Sequence, residues 1–157
     1  MDRDWLFKEN NEICSFRTAG VLIRDDKLLV QREKDGHEYA LPGGHVKIGE
    51  SAETSLIREY FEETGVQIIC ERLIWIEEVF WKWQKQNLHT LTFYFLIHLE
   101  NDHDLPDDYI EAQKDNSEII LHWLSLKELQ NVVIYPDFIR DKIENISLGI
   151  EHFVTKS

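Results

Sequence analysis

Basic residues are the scarce class in this chain. Lys and Arg number 17 against 30 Asp and Glu, giving a formal net charge of −13. Such a surface repels a nucleic-acid backbone or an anionic membrane, so neither is expected as a partner. A small anionic substrate remains compatible when a divalent cation bridges it to the protein. Cysteine is nearly absent too: Cys14 and Cys70 stand far apart in apolar surroundings. Two isolated cysteines make neither a disulfide framework nor a zinc site. They are expected to be buried free thiols in a reducing compartment. Long hydrophobic runs are missing: the longest apolar stretch, "LTFYFLIHL", is far too short to span a bilayer as a helix. The start, "MDRDWLFKEN", has no basic region followed by an apolar run and does not read as a secretion signal. These absences together point to a soluble cytoplasmic protein.

What is present suits a globular fold. The 157 residues are 43% hydrophobic and 30% charged, enough to bury a core in one domain spanning 1–157. "SFRTAGVLIRD" and "KLLVQRE" read as two strands joined by a turn at Asp25-Asp26. "YALPGGHV" is a break and a short extended piece; Pro42 excludes helix at Leu41, and the paired glycines permit unusual backbone angles. A helix follows over 52–64, with Ser51 as N-cap, Glu53 favouring the helix dipole and Gly65 as the stop. "VQIICERLIWIEEVFWKW" gives one or two strands, and "LHTLTFYFLIHLE" another. "NDHDLPDDYIEAQKDNS" reads as a mobile acidic loop. "EIILHWLSL" is a strand, "SLKELQN" a short helix capped at Ser125, and "YPDFIRDKIENI" a last helix with Pro136 near its start. The order implies an α/β sandwich around a mixed sheet.

On a wheel of about 100° per residue, Leu56, Ile57, Tyr60, Phe61 and Thr64 share an arc of about 140° that can pack on the sheet. Arg58, Glu59, Glu62 and Glu63 fall on the opposite arc. Residues 59, 62 and 63 are spaced so that their carboxylates meet, at a cost of a few tenths of a kcal/mol per pair. Arg58 offsets part of this by pairing with Glu62. An acidic helix face is ordinarily just solvated. Here the helix is entered from a Gly-Gly bend and a further carboxylate, Glu50, stands at the entry. Carboxylates with a backbone carbonyl form a hard-oxygen site for Mg²⁺ or Mn²⁺, which substrate phosphates would complete.

Gly44, five residues, Glu50, seven residues, then Arg58-Glu59-Tyr60-Phe61-Glu62-Glu63-Thr64-Gly65-Val66 resembles the box of the Nudix hydrolases, G-x5-E-x7-R-E-U-x-E-E-x-G-U. Every fixed position is present. Tyr60 stands where a bulky aliphatic is usual; it lies on the packing face, so little catalytic consequence is expected. The resemblance implies a Nudix-type α/β/α sandwich around a mixed β-sheet. It further implies a metal-dependent hydrolase that breaks the phosphoanhydride of a nucleoside diphosphate linked to another moiety, using Mg²⁺, with Mn²⁺ as a substitute. Carried over by position, Glu59, Glu62 and Glu63 are the metal ligands, joined by the Gly43 carbonyl. Glu62 is alternatively the base that deprotonates water. Arg58 orients the glutamates, with Gly44 and Glu50 supporting.

Beyond the box, Glu118 is the first candidate for a further base, ahead of Glu111 and Asp115, which an ordinary acidic loop would also explain. Arg32 resembles a position that contacts phosphate, and is equally compatible with an exposed strand end. Tyr39, with His37, lies near enough to line a substrate pocket, as would ordinary loop residues. Trp75, Phe80, Trp81 and Trp83 could stack on a base, although core or dimer contact is the plainer reading; a homodimer is left open. His89 and His98 read as structural or exposed.

The substrate is not specified. No proline lies between Val66 and Pro106, where many ADP-ribose pyrophosphatases of the family carry one, and "WKWQ" lacks the tyrosine of many dinucleoside polyphosphate hydrolases. The alternatives are a MutT-like nucleoside triphosphate pyrophosphohydrolase that removes modified nucleotides, and a binding module without catalysis.

Overall fold

The computed structural model describes residues 2–157. Its strands are β1 (Leu6–Glu9), β2 (Glu12–Arg24), β3 (Lys27–Glu33), β4 (Glu38–Ala40), β5 (Gly43–His45), β6 (Ile68–Trp83), β7 (Gln86–Leu99), β8 (Ile110–Gln113), β9 (Asn116–Ser125), β10 (Val133–Tyr135) and β11 (Glu151–Lys156). Two α-helices, α1 (Ala52–Thr64) and α2 (Ile139–Lys142), are joined by 3-10 turns at Asp102–Asp104 and Leu126–Asn131. The strands form one mixed sheet whose main path runs β10-β4-β3-β2-β7-β6-β11. β2 is its spine: it pairs antiparallel with β1, β3 and β5 along one side and parallel with β7 along the other.

Strand alternation sorts the core onto the sheet's two faces. Leu22, Leu29, Phe95 and Ile97 point to the side covered by Leu56 and Tyr60 of α1. Val21, Leu28, Val30, Trp75 and Tyr94 point to the other, covered by Leu129, Ile139 and Ile143. Each such buried Leu or Ile contributes about 2 kcal/mol. Helical layers on both faces make this the expected α/β/α arrangement. Tyr60 is fully buried as its place on the wheel implied, and Gly20 makes room for it: a Cβ there would sit 3.0 Å from Tyr60 Cε2.

The Asp25-Asp26 turn carries positive φ at both residues (53° and 60°), which lets the β2–β3 hairpin follow the strand twist. Ser125 accepts a hydrogen bond from Lys127 N, capping the turn after β9. Several expectations are corrected. The last helix shrinks to α2, one turn closed by Ile143 N donating to Ile139 O, because only Ile139 and Ile143 give it a buried face. The acidic stretch is not a free loop. Its second half is β8, paired with β9. Its first half is pinned by Arg24, which donates to the Leu105 carbonyl at 2.5 Å and stacks 4.6 Å over Trp123, while Trp123 Nε1 donates to Pro106 O at 3.0 Å. β1 and β11 were not foreseen: both are short edge strands with little apolar content. Cys14 is exposed rather than buried, because it lines an open cleft with Trp5, Ala52 and His89; Cys70 is half-buried.

Of the hairpin aromatics, Trp75 belongs to the core, whereas Trp81 and Trp83 are exposed near its tip. His89 stacks on Phe80, and His98 is exposed. Among the described residues no helix is long and apolar enough to cross a membrane.

Candidate active site

Helix α1 begins at the expected cap: Ser51 Oγ accepts from Thr54 N at 3.1 Å. It ends at Gly65, whose left-handed φ of 77° lets its N–H reach the Phe61 carbonyl at 2.8 Å. The Lys114 side chain lies over this glycine, 2.7 Å from where a Cβ would stand, and the Lys114 N–H donates to Glu63 O. A cation at a helix C-terminus is favourably placed.

The two glycines before the helix serve close approach, not unusual angles: both lie in β5, and neither has positive φ. A Cβ on Gly43 would meet the Thr18 carbonyl at 2.0 Å. One on Gly44 would meet Glu59 Cδ at 2.3 Å. The Glu59 carboxylate therefore rests directly on the β5 backbone. Every fourth residue of the helix faces this strand: Ser55, Glu59 and Glu63 make one polar ridge. Ser55 and Glu63 are buried, and the Glu59 side chain is 16% exposed. This corrects the wheel. Glu63 does not share a solvated arc with Glu62 but turns inward at 4% exposure, while Phe61, expected to pack, is 51% exposed. A wheel ranks residues by polarity alone, and here β5 supplies a packing surface on the polar side.

Arg58 organises the outer carboxylates. Its guanidinium donates to Glu50 Oε1 at 3.0 Å, Glu59 Oε1 at 3.1 Å and Glu62 Oε2 at 3.3 Å. Ser55 Oγ adds a bond to Glu50 at 2.9 Å, and the hydrogen bonds from Arg58 hold the Glu50 carboxyl below its usual range. Burial pushes Glu59 up, with Arg58 opposing. Glu63 is the extreme case. Burial first, then the charges of Glu59 and Asp115, push it up to about 9, and its Oε2 has no hydrogen-bond partner.

A buried carboxylate oxygen without a partner is costly unless something positive meets it. Hard-oxygen donors from Glu59 and Glu63 beside the β5 backbone fit a divalent cation. With Arg58 engaging Glu59 and Glu62, no three acidic, histidine or cysteine side chains among the described residues converge as a ready metal cluster. A cation would therefore compete with Arg58 for Glu59.

Glu118 is exposed at the start of β9, where its N–H donates to Asn116 Oδ1 at 3.1 Å; Asp115, in the β8–β9 turn, is the outer carboxylate whose charge reaches Glu63. Glu111 is exposed on β8. Arg32 donates to the Glu33 and Lys34 carbonyls and lines an open cleft of about 450 Å³ with His37, Tyr39 and Tyr135. Gln31, on the same cleft, accepts from Gln113 Nε2 at 2.9 Å, tying it to the segment behind Glu63. Sequence reasoning missed Arg17. It is half-buried on β2, and its charge opposes the upward shifts of both Glu59 and Glu63. An arginine just before the apolar run Ala19–Ile23 of the strand was the available signal.

A family model described as "NUDIX domain" matches residues 15–142. The chain is 30% identical over 119 residues to the "Uncharacterized Nudix hydrolase YvcI" of Bacillus subtilis (strain 168), covering 76% of this chain and 71% of that protein. It is 40% identical over 60 residues to a "MutT-like protein" of Streptomyces ambofaciens, covering 38% of this chain and only 39% of that one. A solved structure of a mutator MutT protein from Bacillus halodurans superposes with a TM-score of 0.63 at 19% identity, over 89% of this chain and 90% of that one. At that identity the likeness concerns the fold.

Proposed function

The chain belongs to the Nudix hydrolase family, and from this premise we propose that it hydrolyses the phosphoanhydride of a nucleoside diphosphate linked to another moiety. The observation that carries the reading is the unpartnered Glu63 oxygen, buried beside Glu59 on the ridge that faces β5. Glu59 and Glu63, with the Gly43 carbonyl, would hold a Mg²⁺ or Mn²⁺ ion, with Glu62 a further ligand only where it does not serve as the base. Bound there, the ion would neutralise phosphate charge and polarise a phosphoryl oxygen. Of the glutamates at fixed positions of the box, Glu62 is the exposed one. It is placed to take a proton from attacking water. The water oxygen bonds to one phosphorus, the bridging P–O bond breaks, and the proton reaches the departing phosphate, leaving two monophosphates. Arg58 keeps Glu50, Glu59 and Glu62 in one alignment, and the Arg32–Tyr39 cleft is the place for the remaining part of the substrate.

A second reading, a MutT-like pyrophosphohydrolase acting on nucleoside triphosphates, draws on the name of the Streptomyces relative. One screen decides: nucleotide sugars, ADP-ribose, dinucleoside polyphosphates and nucleoside triphosphates, each with Mg²⁺, Mn²⁺ or EDTA. Two monophosphates from a linked diphosphate support the first reading; a monophosphate and pyrophosphate from a triphosphate support the second. No metal-dependent product from any of them sinks both.

A further inference from the structure

On one side the sheet ends in β11, and that edge is open. Of the strands paired on one side only, β11 is the longest, with six residues against four in β1 and β8 and three in β5 and β10. It lacks two devices that blunt natural edges: it has no proline, and its register with β6 has no bulge. Its inner side is fixed. Phe153 stacks on Phe138 with ring centroids 3.8 Å apart, and Thr155 Oγ1 donates to buried Glu77 at 2.6 Å. Ser157 N donates to Phe80 O, so by alternation the backbone groups of His152, Val154 and Lys156 point away from β6. No loop or turn among the described residues donates to them or accepts from them. The same edge exposes apolar side chains: Val154 is 52% exposed and Ile150, just before the strand, 56%.

We propose that β11 is a self-association edge, at which two copies of this chain pair β11 with β11 antiparallel about a two-fold axis and continue one sheet through both. The inference does not rest on the hydrolase reading. The partner is a second copy because the edge matches itself. A two-fold normal to the sheet keeps like faces together, so Ile150, His152, Val154 and Lys156 meet only one another. Setting His152 against His152 places each Ile150 against the Val154 of the other copy. A shift one way sets Ile150 against Lys156 and Val154 against His152. A shift the other way sets Glu151 against Glu151, two like charges. The His152 register alone covers the exposed apolar pair and opposes no two acidic residues. Each His152 keeps its bond to Glu78 at 2.7 Å, and each Glu151 its ion pair with Lys142 at 3.0 Å. That local balance matters in a chain of net charge −13, whose copies otherwise repel. Two short strands make a small interface, so the dimer is weak and concentration-dependent.

The full chain is followed by sedimentation from micromolar to millimolar concentration. Its average mass is expected to climb toward that of two chains. Val154→Lys and Val154→Pro should each weaken dimerisation by about tenfold or more, the proline removing an N–H that makes no bond to β6. Ile110→Lys, at an apolar residue 59% exposed on β8, should leave the dimer unchanged. If Val154→Pro does not fold by circular dichroism, Val154→Lys decides. The register is read by cross-linking in a Cys14→Ser background, which removes the exposed thiol. His152→Cys should give a disulfide-linked dimer on mild oxidation, since Cα atoms of a hydrogen-bonded antiparallel pair stand about 5.5 Å apart, within disulfide reach. Val154→Cys alone should not, because its two copies lie about 14 Å apart along the strands. A chain that stays monomeric at every concentration overturns the proposal. So does a dimer that survives the Val154 variants or is lost equally in Ile110→Lys, since either result moves the contact elsewhere. A disulfide through Val154→Cys with none through His152→Cys overturns the register and the self-match argued from it.

Discussion

Glu63→Gln keeps the shape of a side chain that is 4% exposed and removes its charge. In the metal-free protein the Glu63 carboxyl titrates at about 9, against an ordinary value of 4.5. Between those values the folded chain holds a proton that the unfolded chain has lost, so stability falls as pH rises through the window. The fall is about 1.4 kcal/mol per pH unit, or about 3 kcal/mol by neutrality. Glutamine never ionises and escapes that loss. Metal-free Glu63→Gln should therefore match wild type near pH 4.5 and melt about 10 °C higher at pH 7, given a few degrees per kcal/mol for a chain of this size. The assay is thermal unfolding followed by circular dichroism in EDTA across that pH range, taken as the difference between variant and wild type so that other titrations cancel. Added Mg²⁺ should raise the wild-type midpoint and leave the variant's unmoved, because binding to the folded state alone stabilises it. Turnover should be lost in the variant at every pH. A difference that does not grow with pH, or a variant less stable than wild type at neutrality, would refute the burial argument and the metal assignment built on it.

Gly44→Ala should displace the Glu59 carboxylate, since its Cβ would come within 2.3 Å of Glu59 Cδ. The flexible end of one side chain yields cheaply, so the melting point should move little while Mn²⁺ affinity and turnover fall at least tenfold, as titration and a rate assay would read. Ser51→Ala removes the cap on Thr54 N and should cost about 1 kcal/mol in urea unfolding. Arg24→Ala removes the bonds to Asp102 and Leu105 and the stack on Trp123, so limited proteolysis should cut at 102–107 faster than in wild type.

The parts legible in sequence were those governed by local rules. The bounds of α1 followed from a serine cap and a glycine stop, and the first hairpin followed from two strands around Asp25-Asp26. The box glutamates were legible as a group, but not the division among them. Only β5 and the β8–β9 segment separate buried Glu63 from exposed Glu62, and neither contact can be read from the helix alone. β8, β11 and β1 are held by pairing with longer neighbours, so their own composition announced nothing. The charge of Asp115 reaches Glu63 because of where the β8–β9 turn falls, and that of Arg17 does so because β2 passes beside β5. Both depend on chain segments far apart in sequence.

The ridge of Ser55, Glu59 and Glu63 runs alongside the row formed by Leu56 and Tyr60, so both ride on one rigid cylinder. A cavity opened under Leu56 or Tyr60 would let that cylinder roll, and every degree of roll swings the carboxylates past the fixed β5 backbone. Hydrophobic fit on one flank of α1 is thereby geared to ligand geometry on the other. Substitutions that never touch a phosphate could detune the chemistry as surely as losing a carboxylate.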